Sequence, residues 1–333
     1  MTTAADSEQL TATFAEAIRH ALEDAMAADD SVLVLGQDVA VGFPFGITRG
    51  LAERFGKHRV RDTPISEAAT MGCGTGAALL GLRPVVEVDF GGFVMLGLDQ
   101  LVNNAAKLRY MSGGQLRIPL VVRLGQGPLG GFGAQHSTVQ HGWLANVPGL
   151  AVCVPSNPQE AYDLMRWGLR QSDPVVFAED LRLYRAKGPL RRHEAEITLG
   201  ARIARPGRDA TAIVFGHAVT DALQAADALA QQGIELEVLD LRSVSPLDIA
   251  AIGNSVRRTG RAICVSDDPL LGGFSATLAA VAGDQAHGEL RAPVARLGAR
   301  HAPAPYNQAL ERRLFPSSDS ILTAVRELVQ WGA

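Results

Sequence analysis

Lysine is almost missing from this chain. Three of its 31 basic residues are lysines, Lys57, Lys107 and Lys187, a bias that we read as genomic and without functional content. Cysteine is scarce too. Cys73, Cys153 and Cys264 are odd in number, far apart and set among apolar or small residues, which argues against a disulfide frame or zinc site and predicts buried, reduced thiols. No apolar run reaches the ~18–20 residues that cross a bilayer. The polar, acidic start MTTAADSEQ lacks signal or transit-peptide character, so the expected location is the cytoplasm, off the membrane. A net charge of −4, with no basic run interleaved with aromatics, disfavours nucleic acid as a partner. The patterns GxxxxGK[ST], HExxH, CxxC and GxSxG are all absent. Gly72, Gly74 and Gly76 make only a GxGxG inside a helical stretch that no strand directly precedes, a poor dinucleotide fingerprint.

What is present describes an α/β protein. The 333 residues, 47% hydrophobic and 20% charged, suffice for two domains with a sizeable core. Strand and helix patterns alternate along the chain, which predicts mostly parallel sheets covered by helices on both faces. We place a first domain at 1–185, a linker at 186–208, where periodicity weakens and a mixed-charge run spans Arg191 to Glu196, and a second domain at 209–333. Pro246, after Ser245, is read as opening a helix.

The organising stretch is Asp62 to Phe90. It holds an approach loop, Glu67, a small-residue helix from about Glu67 to Leu80, a Gly-Leu-Arg-Pro turn and the apolar strand Val85 to Phe90. The helix carries Gly72, Gly74 and Gly76, each costing about 0.5–1 kcal/mol relative to alanine, so stability is given up for close backbone approach. Glu67 at its first turn is on these grounds either a functional carboxylate or a helix cap. The glycine-rich segment Gly125 to Gln140 reads as a loop that approaches a ligand, with His136 at its far end; a solvated surface histidine is the alternative.

Several ordered stretches carry a resemblance: DTPISEAA, GLRPVVEVDF, LDQLVNNAAKLRYMSGG, GAQHS, VPGLAVCVPSNPQEA, DPVVFAED, and later LRSVSPLDI and DDPLLGGF. Together they resemble the β subunit of the thiamine-diphosphate-dependent decarboxylase component of 2-oxo acid dehydrogenase complexes, over nearly the whole chain. The resemblance implies two three-layer α/β/α domains, a pyrimidine-binding domain and a transketolase C-terminal-like domain. It assigns Glu67 to the aminopyrimidine ring nitrogen, with Ile65 beside it and Phe93 stacked on the ring, and it sets His136 facing the cofactor. A histidine passes protons near neutral pH, which suits decarboxylation and acyl transfer. Some members hold potassium through backbone carbonyls, and the matching positions are Leu120, Gly168, Leu169, Gln171 and Asp173. No Gly-Asp-Gly motif is present, so the resemblance implies that magnesium and the diphosphate are held by an α subunit in an α2β2 heterotetramer, with a lipoyl-bearing acyltransferase as further partner.

Three positions depart from the family pattern. Gln37 stands where glutamate is usual, Gly91-Gly92 replaces an acidic or hydroxyl-bearing entry, and His141 precedes Gly142-Trp143. About one helical turn beyond His136, His141 is expected to face the same pocket as a second catalytic histidine. That would favour a hydroxyl-rich donor over pyruvate. The expected activity is decarboxylation of a 2-oxo acid or cleavage of a ketol with acyl transfer to a lipoyl group; a split transketolase acting on a ketose and a catalytically degenerate scaffold are the alternatives.

Overall fold

The computed structural model describes residues 9–193 and 195–332, so most of the acidic start, and Glu194 of the mixed-charge run, lie outside the described residues. Among those described, the strands form sheets of seven, five and two. The largest runs in the order Ser243–Ser245, Ala151–Cys153, Val175–Asp180, Val121–Gln126, Arg83–Val88, Val32–Gly36, Val60–Asp62, with every pair parallel except the first. Strands buried on both faces need near-continuous apolar runs, and VLVLG at 32–36 is such a run. Successive side chains alternate between two cores. Val85 joins Phe14, Ile18 and Tyr162 under the helices Phe14–Ala28 and Pro158–Arg170, while Val86 joins Met71 and Leu101 on the opposite face.

Local chemistry fixes the element ends. Thr13 and Glu16 form a reciprocal capping box at the start of Phe14–Ala28. Asn157 caps Pro158–Arg170. The small-residue helix is Glu67–Leu79, and at Gly74 an added Cβ would stand 2.5 Å from Val86 Cγ2, so this glycine lets the helix lie directly on its neighbouring strand. Cys73 on the outer face of the same helix is exposed, against the expectation of three buried thiols. Cys153 and Cys264 are buried, and burial pushes both thiols up to about 12.

The second sheet is ordered Ala295–Ala299, Ala262–Pro269, Ala210–Val214, Leu236–Asp240, Arg202–Arg205, with the last strand antiparallel to its neighbour. Two strands fall inside the expected linker. Lys187–Leu190 pairs antiparallel with Leu10–Thr13, and Arg202–Arg205 edges the second sheet. Pro246 does not open a helix. The chain is still extended at Ser243–Ser245, hydrogen-bonded into the first sheet, and Asp248 caps the helix Ile249–Thr259 by accepting from Ala251 N at 2.9 Å. The domains also share a core, for Val152 and Leu144 cluster with Ile213, Leu239 and Phe274.

Candidate functional site

Ligands of open parallel sheets bind beyond the carboxyl ends of the strands. Here the connections at those ends enclose one cavity of about 610 Å³. The turn after Val32–Gly36 supplies Gln37, Phe43 and Pro44; the approach after Val60–Asp62 supplies Thr63, Ile65, Ser66 and Glu67; Arg83–Val88 runs into Asp89, Phe90 and Phe93; and the glycine-rich loop after Val121–Gln126 supplies Phe132 and His136.

Aromatic packing fixes the wall. The His136 ring meets Phe90 edge-on at 4.6 Å between centroids and Phe93 at 5.2 Å. Phe132 lies 5.8 Å from Phe90. The two edge-to-face contacts of His136 contribute about 0.5–1.5 kcal/mol each beyond area burial and restrict ring orientation. Glu67 is the first residue of its helix and lines the same cavity, partly accessible. Ile65 is 73% exposed and Leu96 62% exposed, so the rim carries apolar side chains turned outward.

Two further acids line the cavity, Glu87 and Asp89. Glu87 pairs with the buried Arg123, whose guanidinium also makes two bonds to Glu179 at 2.7 and 2.8 Å. Tyr184 donates to Glu179 at 2.7 Å. Burial raises the Glu87 carboxyl, with Arg123 opposing the rise. Asp89 is pushed up to about 7, by burial first and the adjacent Glu87 charge second, and its Oδ1 is buried without a hydrogen-bond partner. The cavity wall thus keeps a carboxyl that exchanges its proton near neutrality. Neither acid is among the site residues expected from the sequence. Their signal was two carboxylates at i, i+2 spacing, one face of a strand, in the otherwise apolar VVEVDF.

His141 is elsewhere, contrary to expectation. It is buried at the domain interface, its ring 5.0 Å from Phe215, its Nε2 against the Gln126 amide and its Nδ1 3.9 Å from the Asp268 carboxylate without a hydrogen bond. The helix His141–Ala145 begins only after His136 and the intervening residues have left helical geometry, so the one-turn spacing does not apply. Its support for a hydroxyl-rich donor goes with it.

The five positions matched to potassium lie at the opposite, amino-terminal end of the sheet. Arg83 Nη1 donates to the carbonyls of Leu169 and Gln171 at 3.0 Å each, Leu120 O accepts from Val175 N, and Gly168 O accepts from Gln171 N. The Asp173 carboxylate pairs with Arg109. A guanidinium already occupies two of the five carbonyls, so the set as folded does not fit a second cation.

Comparison with known proteins bears on this geometry. Residues 11–187 match the family described as transketolase, pyrimidine binding domain, and residues 200–321 match transketolase, C-terminal domain. The chain is 40% identical over 328 residues to the β subunit of acetoin:2,6-dichlorophenolindophenol oxidoreductase of Bacillus subtilis, covering 94% of this chain and 96% of that one. It is 40% identical over 318 residues to a mitochondrial pyruvate dehydrogenase E1 component subunit beta-1 of Arabidopsis thaliana, with 94% and 88% covered. It is 39% identical over 325 residues to the 2-oxoisovalerate dehydrogenase subunit beta of Bacillus subtilis, with 96% and 98% covered. Among solved structures, a split gene transketolase in an inactive beta4 tetramer superposes with a TM-score of 0.76 at 20% identity, over 96% of this chain and 99% of that one, a likeness of fold.

Proposed function

This chain belongs to the family of β subunits of thiamine-diphosphate-dependent 2-oxo acid dehydrogenases, and from that membership we propose that it works with an α subunit, in an α2β2 assembly, to decarboxylate a 2-oxo acid or cleave a ketol and pass the acyl unit to a lipoyl group on a partner. The observation that carries the reading is convergence. Glu67, Phe93 and His136, from three separate connections, line one cavity.

The residues present suit the pyrimidine end of thiamine diphosphate: an aromatic face, a carboxyl at the rim and a cavity of about 610 Å³. When bound, that group supplies a nucleophilic carbon and an electron sink for the bond being cleaved. Glu67 would hold a proton at the pyrimidine ring nitrogen and Phe93 would stack on the ring. His136, with Phe90 and Phe93 fixing its ring, moves a proton at the reacting end of the cavity. Phe43, Phe90 and Phe132 line the cavity with apolar surface, and water excluded from it once the α subunit covers the rim would strengthen each electrostatic contact inside. We assign magnesium and the diphosphate to the α subunit. The outward-facing Ile65 and Leu96 give it an apolar rim to cover. We assign no potassium ion to this chain, because Arg83 supplies the cation at those carbonyls.

Reconstitution tests this reading. The co-purified pair is expected to reduce a dye with pyruvate, 2-oxoisovalerate or acetoin as donor, dependent on added thiamine diphosphate, and to acylate lipoamide; this chain alone is expected to do neither. Turnover without the partner, or a pair inert toward all three donors, would overturn it.

A further inference from the structure

The loop that carries His136 is held by the other domain. Glu311, on the short helix Gln308–Glu311, is 2% exposed. Its Oε2 accepts from the backbone N–H groups of Gly130 at 3.0 Å and Gly131 at 2.9 Å, and its Oε1 accepts from the hydroxyl of Ser137 at 3.1 Å. Ser137 is 174 residues away in sequence. Gln308 Nε2 adds a bond to the Gly130 carbonyl at 2.7 Å. At Gly131, with φ +100°, an added Cβ would stand 2.6 Å from the Tyr306 carbonyl oxygen, so the two backbones touch. Between the grip at Gly130-Gly131 and the grip at Ser137 lie Phe132 and His136, the two residues of this segment that line the cavity.

A glycine-rich segment loses more conformational freedom on ordering than other sequences do, so an untied loop would spread its histidine over many positions. Proton transfer does not tolerate that spread, since a displacement of about 1 Å can cost 10²-fold in rate. Two successive N–H groups converging on one carboxylate oxygen make a charge-assisted tie, stronger than neutral hydrogen bonds. We propose that Glu311 is a positioning residue: by holding Gly130, Gly131 and Ser137 it fixes His136 against Phe90 and Phe93, and so makes the second domain a working part of the site. This rests on the role given to His136 above. The acceptor geometry matters more than the charge. A glutamine oxygen accepts the same two N–H bonds while its amide donates to Ser137, so Glu311→Gln preserves the tie and Glu311→Ala removes it.

The test is a cycle in the reconstituted pair, reading donor kcat and KM by dye reduction together with chymotryptic cleavage after Phe132. Glu311→Ala is expected to lower kcat about tenfold or more at nearly constant KM, and Glu311→Gln to return it to within about threefold of wild type. In a His136→Ala background, Glu311→Ala should cost less than about twofold, since the residue it positions is gone. Cleavage after Phe132 should quicken about tenfold in Glu311→Ala, with or without His136. An equal kcat loss in both backgrounds, no recovery in Glu311→Gln, or unchanged cleavage overturns the proposal. If His136→Ala itself turns over like wild type, the reading of His136 fails, while the cleavage rate still judges the clamp. Should Glu311→Ala not fold, Ser137→Ala deletes one of the three bonds and carries the same cycle with an expected loss of about threefold; loss of the same size without His136 counts against the proposal.

Discussion

The two ends of the seven-stranded sheet use the same kinds of residue to opposite purpose. At the amino-terminal end charge is consumed internally: Arg83 serves the carbonyls of Leu169 and Gln171 and lies 3.6 Å from Asp29, while Arg109 holds Asp173. At the carboxyl-terminal end, one oxygen of Asp89 is buried with no partner, beside Glu67 and His136 in the wall of a cavity. An unsatisfied buried polar group costs about 1–3 kcal/mol, and at Asp89 a ligand entering the cavity can offset it. One end is built to hold the sheet; the other keeps its chemistry in reserve.

The sharpest way to break this contrast is at Glu67. Glu67→Gln is expected to lower turnover of the reconstituted pair about 10²–10³-fold, within the range for a lost proton-holding group, while the melting temperature stays within a few degrees. Turnover above half of wild type would place Glu67 with the structural acids. Next comes His136→Asn, expected to cost about 10²-fold in acylation of lipoamide, again without loss of stability. A variant with normal acyl transfer would reduce the ring to packing against Phe90 and Phe93.

Asp89 sharpens the comparison through pH. Its carboxyl is raised from 3.8 to about 7, so between those values the folded chain binds a proton that the unfolded chain has released. The stability this gives is fully present below pH 4 and is lost as pH rises through 7. Because Glu87 is adjacent, the two carboxyls titrate as a pair. Asp89→Asn is expected to flatten the fall in melting temperature between pH 4 and 7 and to melt about 2–4 °C above wild type at pH 8. A variant whose melting temperature falls across that range as steeply as wild type would show that Asp89 titrates as an ordinary surface acid.

Much of this layout was legible because the signals were local. The alternating strand and helix patterns and Glu67 at a first helical turn lie within a few residues of what they specify. What escaped was long-range. Ser243–Ser245 looks like a helix approach until Ala151–Cys153 offers its edge, and KGPL at 187–190 becomes a strand only because Leu10–Thr13 pairs with it. His141 was misplaced because spacing along an irregular segment says nothing about direction. Glu311 had no local signal at all, since its partners are 174 to 181 residues away.

The smallest effect on turnover is expected at the quiet end of the sheet. Replacing Arg83 by methionine keeps most of the apolar stem and removes the guanidinium, leaving the Leu169 and Gln171 carbonyls without their donor. The expected loss is about 1–3 kcal/mol, a drop of roughly 3–6 °C in melting temperature, with turnover of the folded pair unchanged because the cavity lies at the other end of the strands. Potassium then separates two accounts of this end. If Arg83 is its resident cation, swapping sodium for potassium leaves wild type unmoved and restores part of the loss in Arg83→Met, since carbonyl oxygens freed of a guanidinium are suitable ligands for a hard cation. If potassium instead stabilises wild type and the variant alike, the carbonyls were shared from the start, and the amino-terminal end also keeps a vacancy for a ligand.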